Sequence, residues 1–129
     1  MKTLEKAVAT TLGALFVGAF GIALLQAQTA TTAPAYVVIE FTVKDAEGFK
    51  TYGQQAPATV AKYGGKFFVR GARSESLKGD AGKGPYVVLA FDSLEKARQW
   101  ASSPEYTALV PLRDRAADTR AFIVEGSKP

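Results

Sequence analysis

Nine residues decide the fold of this chain: Tyr63-Gly64-Gly65-Lys66-Phe67-Phe68-Val69-Arg70-Gly71. Gly64 and Gly65 suit the C-terminus of a helix, because glycine adopts the left-handed backbone conformation without a penalty from Cβ. The apolar run after them predicts a strand, which Gly71 interrupts as a bulge. Alternation along this strand places Phe68 and Arg70 on one face and Phe67 on the other. A helix, a turn and a strand therefore meet here.

The composition excludes several kinds of chemistry. The chain has 129 residues, which suits one domain, and a net charge of +4 from 16 basic and 12 acidic residues. Because charges of both signs are interspersed, they favour a role in solubility over nucleic-acid binding. Cys and His are absent, which excludes disulfides, thiolate nucleophiles, histidine bases and the usual zinc sites. The sequence has no Asp-rich calcium loop and predicts neither a metal nor a cofactor.

Residues 1–27 have the pattern of a secretory signal peptide. The basic residues Lys2 and Lys6 precede the apolar residues 7–25, and Ala27 or Ala30 suits the last position before the cleavage site. An uncleaved anchor is the alternative, because residues 7–25 are just long enough to span a bilayer. We expect a periplasmic or secreted protein in the first case, and one anchored to the inner membrane in the second.

The folded domain is predicted over residues 35–126, after a linker at 28–34 and before a tail at 127–129. Its clearest strand covers residues 36–43 and alternates between two faces. One face is apolar, with Val37, Ile39, Phe41 and Val43. The other is mixed, with Tyr36, Val38, Glu40 and Thr42. The apolar face needs helices over it.

Start and stop signals predict the remaining elements. Asp45 suits the N-cap of a helix that ends at Gly64, and Pro57 predicts a kink in it or two short helices. The second strand is predicted from Lys66 to Arg70, with an alternative in which it resumes after Gly71 as far as Leu77. A polar loop follows, and then a strand from Pro85 to Phe91. Next come two helix starts, one capped at Asp92 or Ser93 and the other at Ser103. The last strand covers residues 120–125. Pro111 should distort the final helix.

The order strand, helix, strand, strand, helix, strand predicts an α+β fold of the ferredoxin-like type, βαββαβ, with a four-stranded antiparallel sheet and helices on one face. The other face carries Val38, Phe68 and Val88. A second copy of the sheet is the usual cover for such a face, so the pattern predicts a homodimer.

Several short motifs resemble one bacterial family. They are Tyr63-Gly64-Gly65, Arg70-Gly71, Phe91 followed by Ser93, Ser103-Pro104-Glu105-Tyr106, Arg113 and Val124-Glu125-Gly126. The family is numbered 1330 among the domains of unknown function, and the resemblance covers residues 35–126. It implies a ferredoxin-like subunit that dimerises into an α/β barrel, with kinship of fold to cofactor-independent monooxygenases, muconolactone-isomerase-like proteins and dye-decolorising or chlorite-acting barrels. The family has no settled reaction, so the resemblance implies no catalytic residue.

If the mixed sheet face lines a barrel interior, its polar members are the site candidates. They are Tyr36, Glu40, Thr42, Arg70 and Tyr86, with Phe68 beside them. Glu40 and Arg70 lie two strand spacings apart, roughly 10 Å, which favours two groups flanking a cavity over a direct pair. A dimer contact with a counter-charge is the structural alternative for these two residues.

Other residues have weaker claims. Trp100 and Tyr106 suit stacking on an aromatic ligand, but their helical spacing favours core packing. Arg113 is most simply part of a solvated helix face, or else an anchor for a carboxylate or a neighbouring strand. Glu75 and Asp80 suit a base near the barrel mouth, and a solubilising role is the simpler interpretation.

Three classes of function remain open. One is a cofactor-free oxygenase or isomerase, in which Glu40 or Glu75 is the base and Arg70 stabilises developing negative charge. The second is a binding protein, whose cavity holds a small apolar or anionic molecule oriented by Arg70. The third is a structural dimer with a filled interior. The sequence favours binding or chemistry on a small molecule.

Overall fold

The computed structural model describes residues 32–129. In chain order the elements are β1 (Ala35–Val43), α1 (Ala46–Lys62), β2 (Lys66–Ala72), β3 (Tyr86–Phe91), α2 (Leu94–Ala101), α3 (Pro104–Thr107), α4 (Val110–Ala116) and β4 (Ala117–Glu125). The predicted signal segment, and the part of the predicted linker before residue 32, lie outside the described residues. Within residues 32–129, none of the helices is long and apolar enough to cross a membrane.

The four strands form one antiparallel sheet in the order β2-β3-β1-β4. The helices cover one side of it, which we call the helix face; the opposite side is the outer face. Val37, Ile39 and Phe41 are buried on the helix face together with Leu89 and Phe91. The predicted ferredoxin-like βαββαβ arrangement is therefore confirmed.

The helix caps follow the sequence signals closely. Ser93 accepts a hydrogen bond from the backbone N–H of Lys96 at 3.2 Å, and Ser103 accepts one from Tyr106 at 3.2 Å. Asp45 occupies the N-cap position of α1, although its side chain makes no capping bond. α1 runs without interruption through Pro57, so the alternative of two short helices is wrong.

Element boundaries differ from the predictions where the signals are weak. β2 ends at Ala72 and does not resume towards Leu77. The predicted last helix is divided into α3 and α4, with Pro111 in the first turn of α4. Val43 is 37% exposed because it lies at the end of β1. Ala33 is buried, and the Pro34 carbonyl accepts a hydrogen bond from Gly126 N–H at 2.7 Å, so the end of the predicted linker packs on the domain.

Candidate functional site

Two bulges in β2 determine where its side chains lie. Phe67 pairs with Leu89 and Val69 pairs with Val88, so Phe68 is an extra residue in the ladder. A second irregularity follows at Gly71, where φ is +63°. The bulge predicted at Gly71 is confirmed, whereas the bulge at Phe68 was not predicted.

The bulge at Phe68 corrects the predicted position of Arg70. Strict alternation placed Arg70 beside Phe68 on the outer face. The extra residue shifts the alternation, so that Arg70 pairs with Val87, which packs against the core on the helix face. The guanidinium carbon of Arg70 accordingly lies 4.6 Å from the centre of the Phe67 ring. Phe68 stays on the outer face, 70% exposed, with its ring 5.8 Å from that of Tyr36.

An apolar cleft of about 140 Å³ lies between α1 and the helix face of the sheet. From α1 it is lined by Phe49, Tyr52, Gly53, Ala56, Pro57 and Val60. The sheet contributes Ile39, Phe41, Phe67, Val87 and Leu89, and the lining is completed by Arg70, Gly71, Pro85 and Trp100. Among residues 32–129, Arg70 is the one charged side chain that lines the cleft, and it is exposed to solvent at its edge.

The size of the cleft suits one aromatic ring. An apolar cavity of about 150 Å³ in another protein stays dry and binds benzene. The cleft described here has nearly that volume and an apolar lining, while its one cation favours an anionic substituent on the ligand. The interior therefore has room for a small molecule on the helix side of the sheet.

Trp100 and Tyr106 are core residues, as their spacing favoured. They are 2% and 6% exposed, and their ring centroids lie 4.0 Å apart. The Trp100 Nε1–H donates a hydrogen bond to Thr59 Oγ1 at 3.0 Å, which satisfies a buried polar pair. Trp100 also forms part of the cleft lining, whereas Tyr106 does not.

Arg113 does not lie on a solvated face. Its side chain is 16% exposed and donates one hydrogen bond to the Tyr106 hydroxyl at 2.7 Å and another to Asp114 Oδ1 at 2.9 Å. Burial, and then the neighbouring Tyr106, raise the pKa of Tyr52. The Tyr52 phenol is thus kept protonated, and Arg113 holds the Tyr106 phenol in place.

Glu40 has a partner that the sequence analysis missed. Its Oε2 accepts a hydrogen bond from Arg120 Nη2 at 3.0 Å, and the two residues face each other across β1 and β4. Arg120, Phe122 and Val124 alternate along β4, and this pattern was the available signal. Since Arg70 lies on the opposite face, it neither pairs with Glu40 nor flanks a cavity with it.

The remaining candidates lie apart from the cleft. Thr42 and Tyr86 are on the outer face, opposite Asp118 and Glu40 respectively. An added Cβ at Gly82 would lie 2.8 Å from the Tyr86 hydroxyl, so the polar loop reaches back to this face. Glu75 and Asp80 are exposed in the connection between β2 and β3. In residues 32–129 no group of acidic side chains is arranged to hold a metal ion.

Several residues of the family-like motifs contact one another. Tyr63 donates a hydrogen bond to Glu105 Oε2 at 2.8 Å, and Lys62 forms an ion pair with the same carboxylate. These contacts tie the C-terminus of α1 to α3. Together with the Arg113–Tyr106 bond, they give the motif residues a role in holding helices together.

The family model described as "Domain of unknown function (DUF1330)" matches residues 34–127. The chain belongs to this family. No protein of curated function is detectably similar to it in sequence.

Two solved structures show the same fold. A protein of unknown function from Rhodopseudomonas palustris, RPA0582, is 20% identical, with a TM-score of 0.60 over 86% of this chain and 95% of its own. SnoaB, a cofactor-independent oxygenase from Streptomyces nogalater, is 16% identical, with a TM-score of 0.51 over 76% of this chain and 97% of its own. The DUF1330 domain thus shares its fold with an oxygenase and with a protein of unknown function.

Proposed function

We propose that this DUF1330 protein binds a small molecule that has an apolar ring and an anionic group. The ring occupies the cleft between α1 and the sheet, and the anionic group contacts Arg70. The observation that carries this proposal is a cleft of about 140 Å³ with an apolar lining and one cation at its edge. Arg70 takes part in no ion pair within residues 32–129, so its guanidinium is available to a ligand.

Binding is better supported than catalysis. Glu40 and Glu75, the two bases considered from the sequence, both lie outside the cleft lining. Tyr52 lines the cleft, but its raised pKa keeps the hydroxyl protonated and unfit to act as a base. The likeness to SnoaB concerns the fold and supplies no catalytic residue. An oxygenase or isomerase remains the alternative, for which turnover of a bound ligand would be the evidence.

Titration calorimetry with benzoate and with toluene tests the proposal. Arg70→Ala should weaken benzoate binding about tenfold or more, because a hydrogen bond to a charged group is lost, and should leave toluene binding unchanged. The matched control is Arg73→Ala, which removes an exposed cation outside the cleft. The proposal is wrong if the wild-type protein binds neither probe, or if the two variants weaken benzoate equally.

We also propose that the outer face joins a second copy of the chain. Phe68 on the edge strand β2 is 70% exposed on it, and Phe122 and Val124 on the opposite edge strand β4 are 47% and 44% exposed. Apolar side chains exposed at both edges of one sheet face are typical of an interaction surface. The strand register places charges of both signs on this face, with Lys66 and Arg120 balancing Glu40 and Asp118. A two-fold interface brings a surface against itself, and a balanced surface tolerates this. The α/β barrel expected from the sequence would form there.

A further inference from the structure

Gly53 is an unusual residue for its position in α1. The cleft-facing stripe of this helix consists of Phe49, Tyr52, Gly53, Ala56, Pro57 and Val60. Gly53 is the member of the stripe without a side chain. Glycine in a helix interior destabilises the helix relative to alanine. If these residues served only to pack α1 on the sheet, alanine at position 53 would give a more stable helix.

Neither backbone conformation nor crowding requires glycine at this position. Gly53 lies within continuous helix and, unlike Gly71, has no positive φ. A Cβ built at Gly53 would meet no heavy atom within 4 Å. By contrast, a Cβ at Gly65 would lie 2.6 Å from atoms of the Phe91 ring, so packing explains that glycine. Gly53 is half-buried and lines the cleft, so the open space beside it adjoins the cleft.

We infer that Gly53 is a specificity-determining residue, whose missing side chain leaves the width that a ligand ring needs. This inference rests on the proposed function. The ring lies against the bare backbone of α1 at Gly53, in a cleft that has room for about one ring. A methyl group there occupies ligand space, and one methylene in an apolar pocket changes affinity by about 10–200-fold.

Gly53→Ala separates this role from a structural one, because its two expected effects have opposite signs. The variant should melt about 4–8 °C higher, since alanine favours the helix and meets no atom. It should bind toluene and benzoate about tenfold more weakly. Gly53→Leu should abolish binding of both probes. Gln54→Ala, on the exposed side of the same helix, is the matched control and should retain wild-type affinity for both.

The outcomes distinguish this inference from the proposed function. If the wild-type protein binds the probes and Gly53→Ala binds them equally well, Gly53 does not set the ligand width, although the cleft still binds ligands. If Gln54→Ala weakens binding as much as Gly53→Ala, the effect comes from the helix and the inference is wrong. Failure of the wild-type protein to bind either probe overturns the proposed function and this inference with it.

Discussion

Arg70 lies over Phe67, with its guanidinium carbon 4.6 Å from the centre of the ring. In a regular strand these two residues would point to opposite faces, because Arg70 comes three positions after Phe67. The extra residue Phe68 brings them to the same face. One inserted residue thus moves a cation from the outer face, where a partner would cover it, to the edge of an apolar cleft.

The bulge predicts that replacing each of two adjacent phenylalanines by alanine lowers the stability of the fold by very different amounts. Phe67→Ala should lower the free energy of unfolding by about 2–3 kcal/mol, because the Phe67 ring packs partly buried against the core. Phe68→Ala should change it by no more than about 0.5 kcal/mol in the monomer, because its ring is 70% exposed. Urea titrations at low protein concentration measure both. Equal losses would mean that Phe68 is also a core residue.

The outer face predicts how a charge affects self-association. Phe122→Glu should convert a dimer into a monomer, because two copies would bury unpaired carboxylates against each other. Sedimentation velocity of the wild-type protein and the variant measures this. Gln54→Glu adds the same charge on the exposed side of α1 and should stay dimeric. A monomeric wild-type protein, or a dimeric Phe122→Glu variant, would rule out this interface.

The Lys62–Tyr63–Glu105 cluster predicts sensitivity to acid. The hydrogen bonds from Lys62 and then from Tyr63 lower the pKa of Glu105 to about 2, from 4.5. A lowered pKa contributes stability that is present above pH 4.5 and is lost as the pH falls towards 2. Melting temperatures measured from pH 6 to pH 2 should therefore fall less steeply for Glu105→Gln than for the wild-type protein. Glu95→Gln, an exposed carboxylate on α2, is the control, and the cluster is unimportant if the two variants behave alike.

The Trp100–Thr59 hydrogen bond predicts a measurable coupling. Trp100→Phe removes the donor and Thr59→Val removes the acceptor of a buried bond of 3.0 Å. A double-mutant cycle in urea should give a coupling of about 1 kcal/mol, the usual net value of such a bond. Additive single effects would show that the contact contributes no stability.

The N-terminal pattern predicts processing on export. The mature protein made in a secreting host should begin at Gln28 if Ala27 is the last residue removed, and N-terminal sequencing measures this. A start at Thr31 would identify Ala30 as the cleavage site instead. An intact Met1 in the membrane fraction would support the anchor alternative.

Local patterns in the sequence predicted the elements and their caps. Helix starts at Ser93 and Ser103, the bulge at Gly71 and the alternation of β1 all depend on neighbouring residues, so a single segment carries the information. The element order then determined the ferredoxin-like sheet, because few topologies are compatible with it. The spacing of Trp100 and Tyr106 was likewise enough to place both in the core.

Only the tertiary structure decided which face Arg70 occupies. An extra residue such as Phe68 shows itself in the pairing of β2 with β3, which no local pattern reveals. The partner of Glu40 and the position of the cleft depend in the same way on strands distant in sequence. The sequence by itself determined the fold and indicated Arg70 as a candidate residue for binding a ligand, which stays a prediction. Packing of α1 on the sheet decided where the cleft lies, because a cavity is the space that packed side chains leave unfilled.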